Sequence, residues 1–208
     1  MEEEKTKICI VGAGAIGTAL ANALAHNPEL EVVLYSIENE VVESINLTQY
    51  NTKYFPNTKL TWRLKASGDN TILSENKYIF LAIPSSVLVD FVLENKQLIS
   101  ADAVLINLAK GLSKDEHFTV AESLQANVDQ RVATMKGPTF ARDLIDKIPT
   151  AFTFASEHEE LFPVFKAMVA GTNVYLDYST DLRGVELLST MKNIYAIATG
   201  MVDAQFDS

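Results

Sequence analysis

The stretch ICIVGAGAIGTAL, residues 8–20, predicts the fold of this chain. Four apolar residues indicate a buried strand, and the glycines Gly12, Gly14 and Gly17 separate it from a helix-forming run. This G-x-G-x-x-G spacing permits a tight turn, a close approach of the backbone to a pyrophosphate, and close packing of the helix on the strand. A second strand, EVVLYS, ends about 20 residues later, which suits a dinucleotide-binding turn. The alternative is a glycine-rich turn that binds nothing.

Strand-like and helix-like runs alternate from this stretch onward. Further strands are predicted at YIFLAIP, AVLINLA, RVATM, TAFTFAS and NVYLD, with helices between them, including one near DEHFTVAESLQ and a short one opening at GPTFARDL. Strands that are apolar on both faces predict a parallel sheet covered by helices on each side. The segment from Leu47 to about Asn76 is predicted to be a loop excursion with a short strand. We expect an α/β fold: a Rossmann-like, doubly wound, mostly parallel sheet over residues 1–180, then a long helix from residue 181.

Charge and composition limit the partners. The chain has 17 basic and 27 acidic residues, a formal charge of −10, so we expect neither nucleic acid nor an anionic membrane surface as a partner. No apolar run approaches the roughly 18 residues of a membrane span, and the first residues, MEEEKTK, are acidic where a secretory signal would be basic. The single cysteine, Cys9, excludes a disulfide within the chain. These features predict a cytoplasmic protein.

The end of the second strand bears on the choice of cofactor. An NAD site often has an acidic residue there for the ribose hydroxyls, whereas an NADP site often has an arginine for the extra phosphate. This chain has Tyr35, Ser36, Ile37 and Glu38, with no basic residue at that place. The pattern favours NAD over NADP. Glu38 is equally well explained as a carboxylate at the start of a helix.

Three more loops follow strand ends, where such sheets bind ligands. In LAIPSS, the serines could contact the cofactor or cap the next helix. NLAKGL sets Lys110 just past a strand, where its ammonium could meet a substrate oxygen or remain in solvent. MKGPTFARD places Gly137 and Thr139 at a strand-to-helix junction whose free N–H groups can hold an anion, with Pro138 near the first helical position.

The long helix near the end of the chain carries a lysine in an otherwise apolar run. At about 100° per residue, Lys192 lies on a narrow polar strip. The other side of the helix is apolar and comprises Leu187, Met191, Ile194, Ala198 and Met201. From this pattern alone, a lysine that reaches to water explains the strip as well as a functional lysine does.

The chain resembles the NAD(P)-dependent glycerol-3-phosphate dehydrogenase family of bacterial type. The resemblance runs from about Lys7 to Asp203 and rests on GAGAIGTAL, AIPS, AKGL, GPTFA and GVELLSTMKNIYAIATGMVDA, in that order. It implies reversible hydride transfer between a nicotinamide and C2 of glycerol 3-phosphate, giving dihydroxyacetone phosphate. No metal is implied.

The resemblance also implies a role for each matched residue. Lys192 would be the catalytic acid–base, and Lys110 would steady the negative charge on the substrate oxygen. The cofactor, NAD or NADP, would contact Gly12, Gly14, Ala15, Ile16, Gly17, Lys110 and Ala141. The small phosphorylated three-carbon substrate would contact Lys110, Gly137, Thr139 and Lys192. A lysine near other cations in a partly dry site has a lowered pKa, which suits proton transfer at neutral pH.

The sequence departs from the family pattern in three places. Lys136 stands where a small residue is usual before Gly-Pro, and it either adds a phosphate contact or points to solvent. Asp203-Ala204 replaces the usual Asp-Gly, and the sequence ends at Ser208, where the family continues into an all-α domain that completes the substrate site. We therefore expect a fragment that binds NAD(H) but turns over little. The apolar side of its last helix would be exposed and would seek a partner, a homodimer being one outcome.

Two other functions remain open from the sequence. One is a non-catalytic nucleotide-binding or interaction module that pairs through the exposed helix. The other is a related β-hydroxyacid or ketopantoate-type dehydrogenase, which also sets a lysine after a glycine-rich cofactor domain. Dimerisation with retained NADH binding would favour the first, and indifference to the substrate phosphate would favour the second.

Overall fold

The computed structural model of the chain describes residues 5–114 and 119–206. Within them, the strands are β1 (Thr6–Val11), β2 (Leu30–Tyr35), β3 (Lys65–Ser67), β4 (Tyr78–Leu81), β5 (Val104–Asn107), β6 (Arg131–Lys136), β7 (Thr150–Ala155) and β8 (Val174–Ser179). The helices are α1 (Ala15–Leu24), α2 (Asn39–Thr48), α3 (Ser85–Glu94), α4 (Val120–Gln125), α5 (Ala141–Ile145), α6 (Leu161–Met168) and α7 (Leu182–Phe206). A 3-10 helix spans Asn70–Glu75.

The strands form one sheet in the order β3-β2-β1-β4-β5-β6-β7-β8. All neighbours are parallel except β6 and β7, which are antiparallel. The chain first winds from β1 toward β3 and then from β4 toward β8, so the strand order reverses between β1 and β4. The prediction of a doubly wound, mostly parallel Rossmann-like sheet is confirmed. The loop excursion contains the short strand β3, and the helix near DEHFTVAESLQ begins at Val120, its first residues lying outside the described part of the chain.

Side chains alternate along the central strand to build a core on each face of the sheet. Ile8 and Ile10 pack into the layer beneath α1 and α6, which includes Phe165. Cys9 and Val11 pack into the opposite layer with residues of α3 and α4. Burial raises the pKa of the Cys9 thiol to about 12, so the thiol stays protonated and unreactive.

The long helix α7 is anchored at its beginning and exposed beyond it. Leu182 is buried in the sheet domain, and Glu186 is only 2% exposed. Further along, the apolar side chains that the sequence predicted to be uncovered are exposed, including Leu187, Met191, Ile194 and Met201. Among the described residues, no helix is long and apolar enough to cross a membrane. The division of the chain into domains at residue 180 remains a prediction.

Candidate cofactor and substrate site

A cavity of about 960 Å³ lies at the carboxyl ends of β1, β4, β5 and β6. It spans the point where the strand order reverses, and its volume suits a sizeable ligand. Most of the predicted site residues line it, namely Gly12, Gly14, Ala15, Ile16, Lys110, Gly137, Thr139 and Ala141. The structure therefore brings residues from three separate motifs to one place.

The three glycines of the first turn differ in how much room surrounds them. Gly12 has φ +109°, and a Cβ there would lie 2.6 Å from the carbonyl oxygen of Ala82. A Cβ on Gly17 would overlap the carbonyl oxygen of Gly12, so only glycine lets α1 pack this close to the turn. Gly14 is different, because a Cβ there would meet nothing within 4 Å. The open space above Gly14, at the N-terminus of α1, fits a pyrophosphate.

The end of β2 forms the rim of the same cavity. Ile37 is 84% exposed and, with Glu38, lines the cavity wall. The carboxylate of Glu38 is not isolated, because it pairs with the ammonium of Lys53. The sequence analysis looked for a basic residue only at the end of the second strand. It therefore missed Lys53, which lies in the loop excursion.

The two lysines that were predicted to act in catalysis approach one another at the other end of the cavity. Burial lowers the pKa of Lys110, and the positive charge of Lys192 lowers it further. The Lys192 ammonium lies 5.0 Å from the ring centroid of Phe140, which itself lines the cavity. Beside them, the hydroxyl of Thr139 donates to the carbonyl of Gly137 at 3.3 Å. The structure thus places two cations beside the predicted substrate residues.

The structure rules out the capping alternative for the serines of LAIPSS, and the expected place of Pro138 near a first helical position is wrong. The helix α3 begins at Ser85 with Pro84 in the N-cap position, and no side-chain hydrogen bond caps it. The helix α5 begins only at Ala141, after Phe140, so Pro138 lies in the preceding loop and not near the first helical position. The backbone directly before each helix is outside the helical range, with ψ 140° at Pro84 and ψ 135° at Phe140, so α3 and α5 begin only at the next residue.

Lys136 was expected to contact a phosphate or to point to solvent, and the solvent alternative is wrong. Its side chain is 5% exposed, its ammonium donates to the carbonyl of Ala109, and its Nζ lies 3.6 Å from Oε1 of Glu186. Glu186 in turn accepts hydrogen bonds from the Asn107 side chain and from the backbone N–H of Ala121. Burial lowers the pKa of Lys136 to about 8, although the Glu186 carboxylate acts in the opposite direction.

This pKa predicts how stability depends on pH. The folded chain holds the pKa of Lys136 at about 8 and the ordinary value is 10.5, so between these values the unfolded state binds more protons. The free energy of unfolding that Lys136 contributes should therefore rise with pH across that window and be constant below it. The measurement is urea unfolding of the unsubstituted chain and of Lys136→Met at each pH. Subtracting the free energy of unfolding of Lys136→Met from that of the unsubstituted chain cancels the titration of Cys9 and the tyrosines, which both chains share. A difference that falls as the pH rises would contradict the prediction.

The fold and the site together define a class. A glycine turn that joins a parallel strand to a helix, placed where the strand order reverses, is the arrangement by which α/β domains bind dinucleotides. The chain is thus a dinucleotide-binding domain of the Rossmann type.

Comparison with known proteins identifies the family within that class. The family model described as NAD-dependent glycerol-3-phosphate dehydrogenase N-terminus matches residues 7–162. The chain therefore belongs to the NAD-dependent glycerol-3-phosphate dehydrogenase family.

Relatives and solved structures agree with this assignment. The chain is 33% identical over 201 residues to a glycerol-3-phosphate dehydrogenase of Syntrophotalea carbinolica, covering 94% of this chain and 60% of the relative. It is 30% identical over 198 residues to that of Halothermothrix orenii, covering 95% of this chain and 58% of the relative. A crystal structure of glycerol-3-phosphate dehydrogenase from Coxiella burnetii matches with a TM-score of 0.87 and 31% identity, over 96% of this chain and 61% of that one. The chain thus spans about 60% of the length of these relatives.

Proposed function

We propose that the chain is the cofactor-binding part of an enzyme that transfers hydride between NAD(H) and the pair glycerol 3-phosphate and dihydroxyacetone phosphate. The observation that carries the proposal is the single cavity that holds the glycine turn at one side and Lys110 at the other, next to Lys192. A dinucleotide on the turn would direct its far end toward those lysines. Family membership supports the choice of substrate pair.

The residues around the glycine turn favour NAD as the cofactor. The turn and the N-terminus of α1 would hold the pyrophosphate, with Gly14 giving the backbone room to approach it. At the rim, Glu38 offers a carboxylate to the ribose hydroxyls. The same carboxylate would repel the extra phosphate of NADP, whereas Lys53, which pairs with it, is the basic group at this rim.

The lysines supply the proton chemistry. The bound nicotinamide would accept or donate the hydride. During reduction of the ketone, Lys192 would give a proton to the developing alkoxide, and during oxidation it would take the hydroxyl proton. Lys110 would stabilise negative charge on the same oxygen.

Substrate turnover by this chain alone is expected to be low. It spans about 60% of the length of its relatives, and the resemblance assigns further groups for the substrate phosphate and the catalytic lysine to the region beyond. The loss of such contacts reduces binding of the transition state. An alternative role as an interaction module draws on the exposed apolar side of α7, which includes Leu187 and Ile194.

Titration calorimetry with NADH and NADPH tests the cofactor proposal. We expect saturable binding of NADH, weaker binding of NADPH, and at least about tenfold weaker NADH binding by Gly14→Ala, because its methyl group would enter the space left for the pyrophosphate. The matched control is Ala170→Gly, a small change on an exposed turn remote from the cavity.

The outcomes separate the proposal from its alternatives. Failure of the folded chain to bind NADH would contradict dinucleotide binding, and tighter binding of NADPH would contradict the role of Glu38. Self-association that persists with NADH bound, without any binding of dihydroxyacetone phosphate, would favour the interaction module. Turnover at an ordinary rate of about 10 per second would show that this chain suffices for catalysis.

A further inference from the structure

Lys136 links three parts of the chain at the substrate end of the cavity. It is the last residue of β6, and its ammonium donates to the carbonyl of Ala109, the residue before Lys110. The same ammonium pairs with Glu186 of α7 at 3.6 Å. Both side chains are almost completely buried, at 5% and 2% exposure. A single buried group thus connects the loop of Lys110 with the helix of Lys192.

Glu186 fixes α7 to the rest of the chain a short way before Lys192. Its second oxygen accepts from the backbone N–H of Ala121 at 3.0 Å, so the carboxylate is fixed on α4 as well as on Lys136. Lys192 follows on the same helix after roughly two turns. Between them, Leu187, Leu188 and Met191 are exposed, so Glu186 is the last buried side chain before Lys192 in the structure.

The geometry points to Lys136 as a positioning residue that sets the distance between Lys110 and Lys192 by joining the Ala109 carbonyl to Glu186. This inference rests on the proposed function, which gives the two lysines their roles. It concerns residues that do not themselves need to touch the substrate.

A substitution at Glu186 separates positioning from simple electrostatics. The charge of Lys192 lowers the pKa of Lys110, the charge of Lys110 lowers the pKa of Lys136, and Lys136 pairs with Glu186. If only charge matters, removal of the negative Glu186 carboxylate lowers the pKa of Lys110. If Lys136 then loses its proton as well, one negative and one positive charge disappear together, and the pKa of Lys110 stays unchanged. If the pair holds Lys192 near Lys110, its removal lets the two cations move apart, and the pKa of Lys110 rises toward its ordinary value.

The experiment uses the full chain carrying Glu186→Gln, which keeps the shape and one acceptor oxygen of the side chain. Amide hydrogen exchange measures the opening of α7, and NMR of lysines labelled next to the ammonium group measures the pKa of Lys110, assigned with Lys110→Arg. We expect exchange at residues 187–192 to become about tenfold faster and the pKa of Lys110 to rise. Glu122→Gln is the matched control, because Glu122 joins α4 to Arg183 of α7 through a pair whose side chains are 25% and 66% exposed. Glutamine keeps an acceptor oxygen for the Thr119 N–H, so this variant should change neither reading.

Each result decides the inference. Faster exchange with an unchanged or lowered Lys110 pKa would overturn it, because the pair would then stabilise the helix without positioning the lysines. Unchanged exchange would also overturn it. Should Glu186→Gln fail to fold, Lys136→Met breaks the same pair from the other end. For this variant only amide hydrogen exchange is used, because loss of the Lys136 charge would itself raise the pKa of Lys110. If both variants fail to fold, the pair is needed for folding as a whole and the positioning role is rejected.

NADH titration of the same proteins keeps the inference separate from the proposed function. Normal NADH binding with unchanged exchange in Glu186→Gln defeats only the positioning role. Absence of NADH binding by the unsubstituted chain defeats the proposed function, whatever the exchange rates.

Discussion

Gly17→Ala is expected to lower the free energy of unfolding by about 3 kcal/mol or more and to abolish NADH binding. The added methyl group would overlap the carbonyl oxygen of Gly12 and lie 3.1 Å from the Cβ of Ala82. The first obstacle is backbone, so it cannot rotate away as a side chain could. The helix α1 would have to move off the turn, and the cradle for the pyrophosphate would be lost with it. Urea unfolding and calorimetry measure the two effects.

Gly14→Ala is the matched control for the stability part of this prediction. It adds the same methyl group in the same turn, but into open space. Its backbone has φ −70°, which any residue adopts, and it occupies the N-cap of α1, where alanine is less favourable than glycine. We expect a loss of stability within about 1 kcal/mol. Equal stability of the two variants would show that the close packing at Gly17 is not needed for the fold.

Glu186→Leu is expected to cost about 3–5 kcal/mol of stability. The substitution leaves the buried Lys136 without its carboxylate partner and removes the acceptor for the Asn107 side chain and the Ala121 N–H. An unpaired charge and unsatisfied donors in the interior are among the most destabilising changes a single residue can cause. The measurement is the urea midpoint at neutral pH.

Two further variants test the physical cause. Glu160→Leu removes a carboxylate that is 63% exposed and pairs with Arg131 at 3.6 Å, and it should change stability by less than about 1 kcal/mol. Lys136→Met combined with Glu186→Leu removes both buried charges and should recover part of the loss, because two apolar side chains replace the pair. If the double variant is less stable than Glu186→Leu, burial of an unpaired lysine is not the cause.

The sequence predicted the fold well because each strand carries its own signal. The strands β4 and β5 are buried at every position, which a continuous apolar run reports directly. The glycine spacing indicated the turn at β1 for the same local reason. Direction is not local, and nothing in TAFTFAS distinguishes β7, which runs antiparallel to β6, from the parallel strands.

The site was predicted in parts, and the missing parts are pairings across the chain. Motifs located Lys110 and Gly137, because each follows a strand end. The contact between Glu186 and Asn107 joins residues far apart in sequence, and a glutamate on an amphipathic helix usually faces water. Lys136 was misread for the same reason, since its burial depends on α7 covering the end of β6.

The place of the single cysteine gives the chain a built-in reporter of its own opening. Cys9 lies in β1, with β2 on one side and β4 on the other, and has no exposed surface. Its raised pKa further suppresses the thiolate form that reacts with alkylating reagents. Labelling can therefore proceed only when the layer of α3 and α4 that covers this face of the sheet opens or the strands themselves separate. The rate at which the thiol is consumed under native conditions thus reports those openings directly, without denaturant.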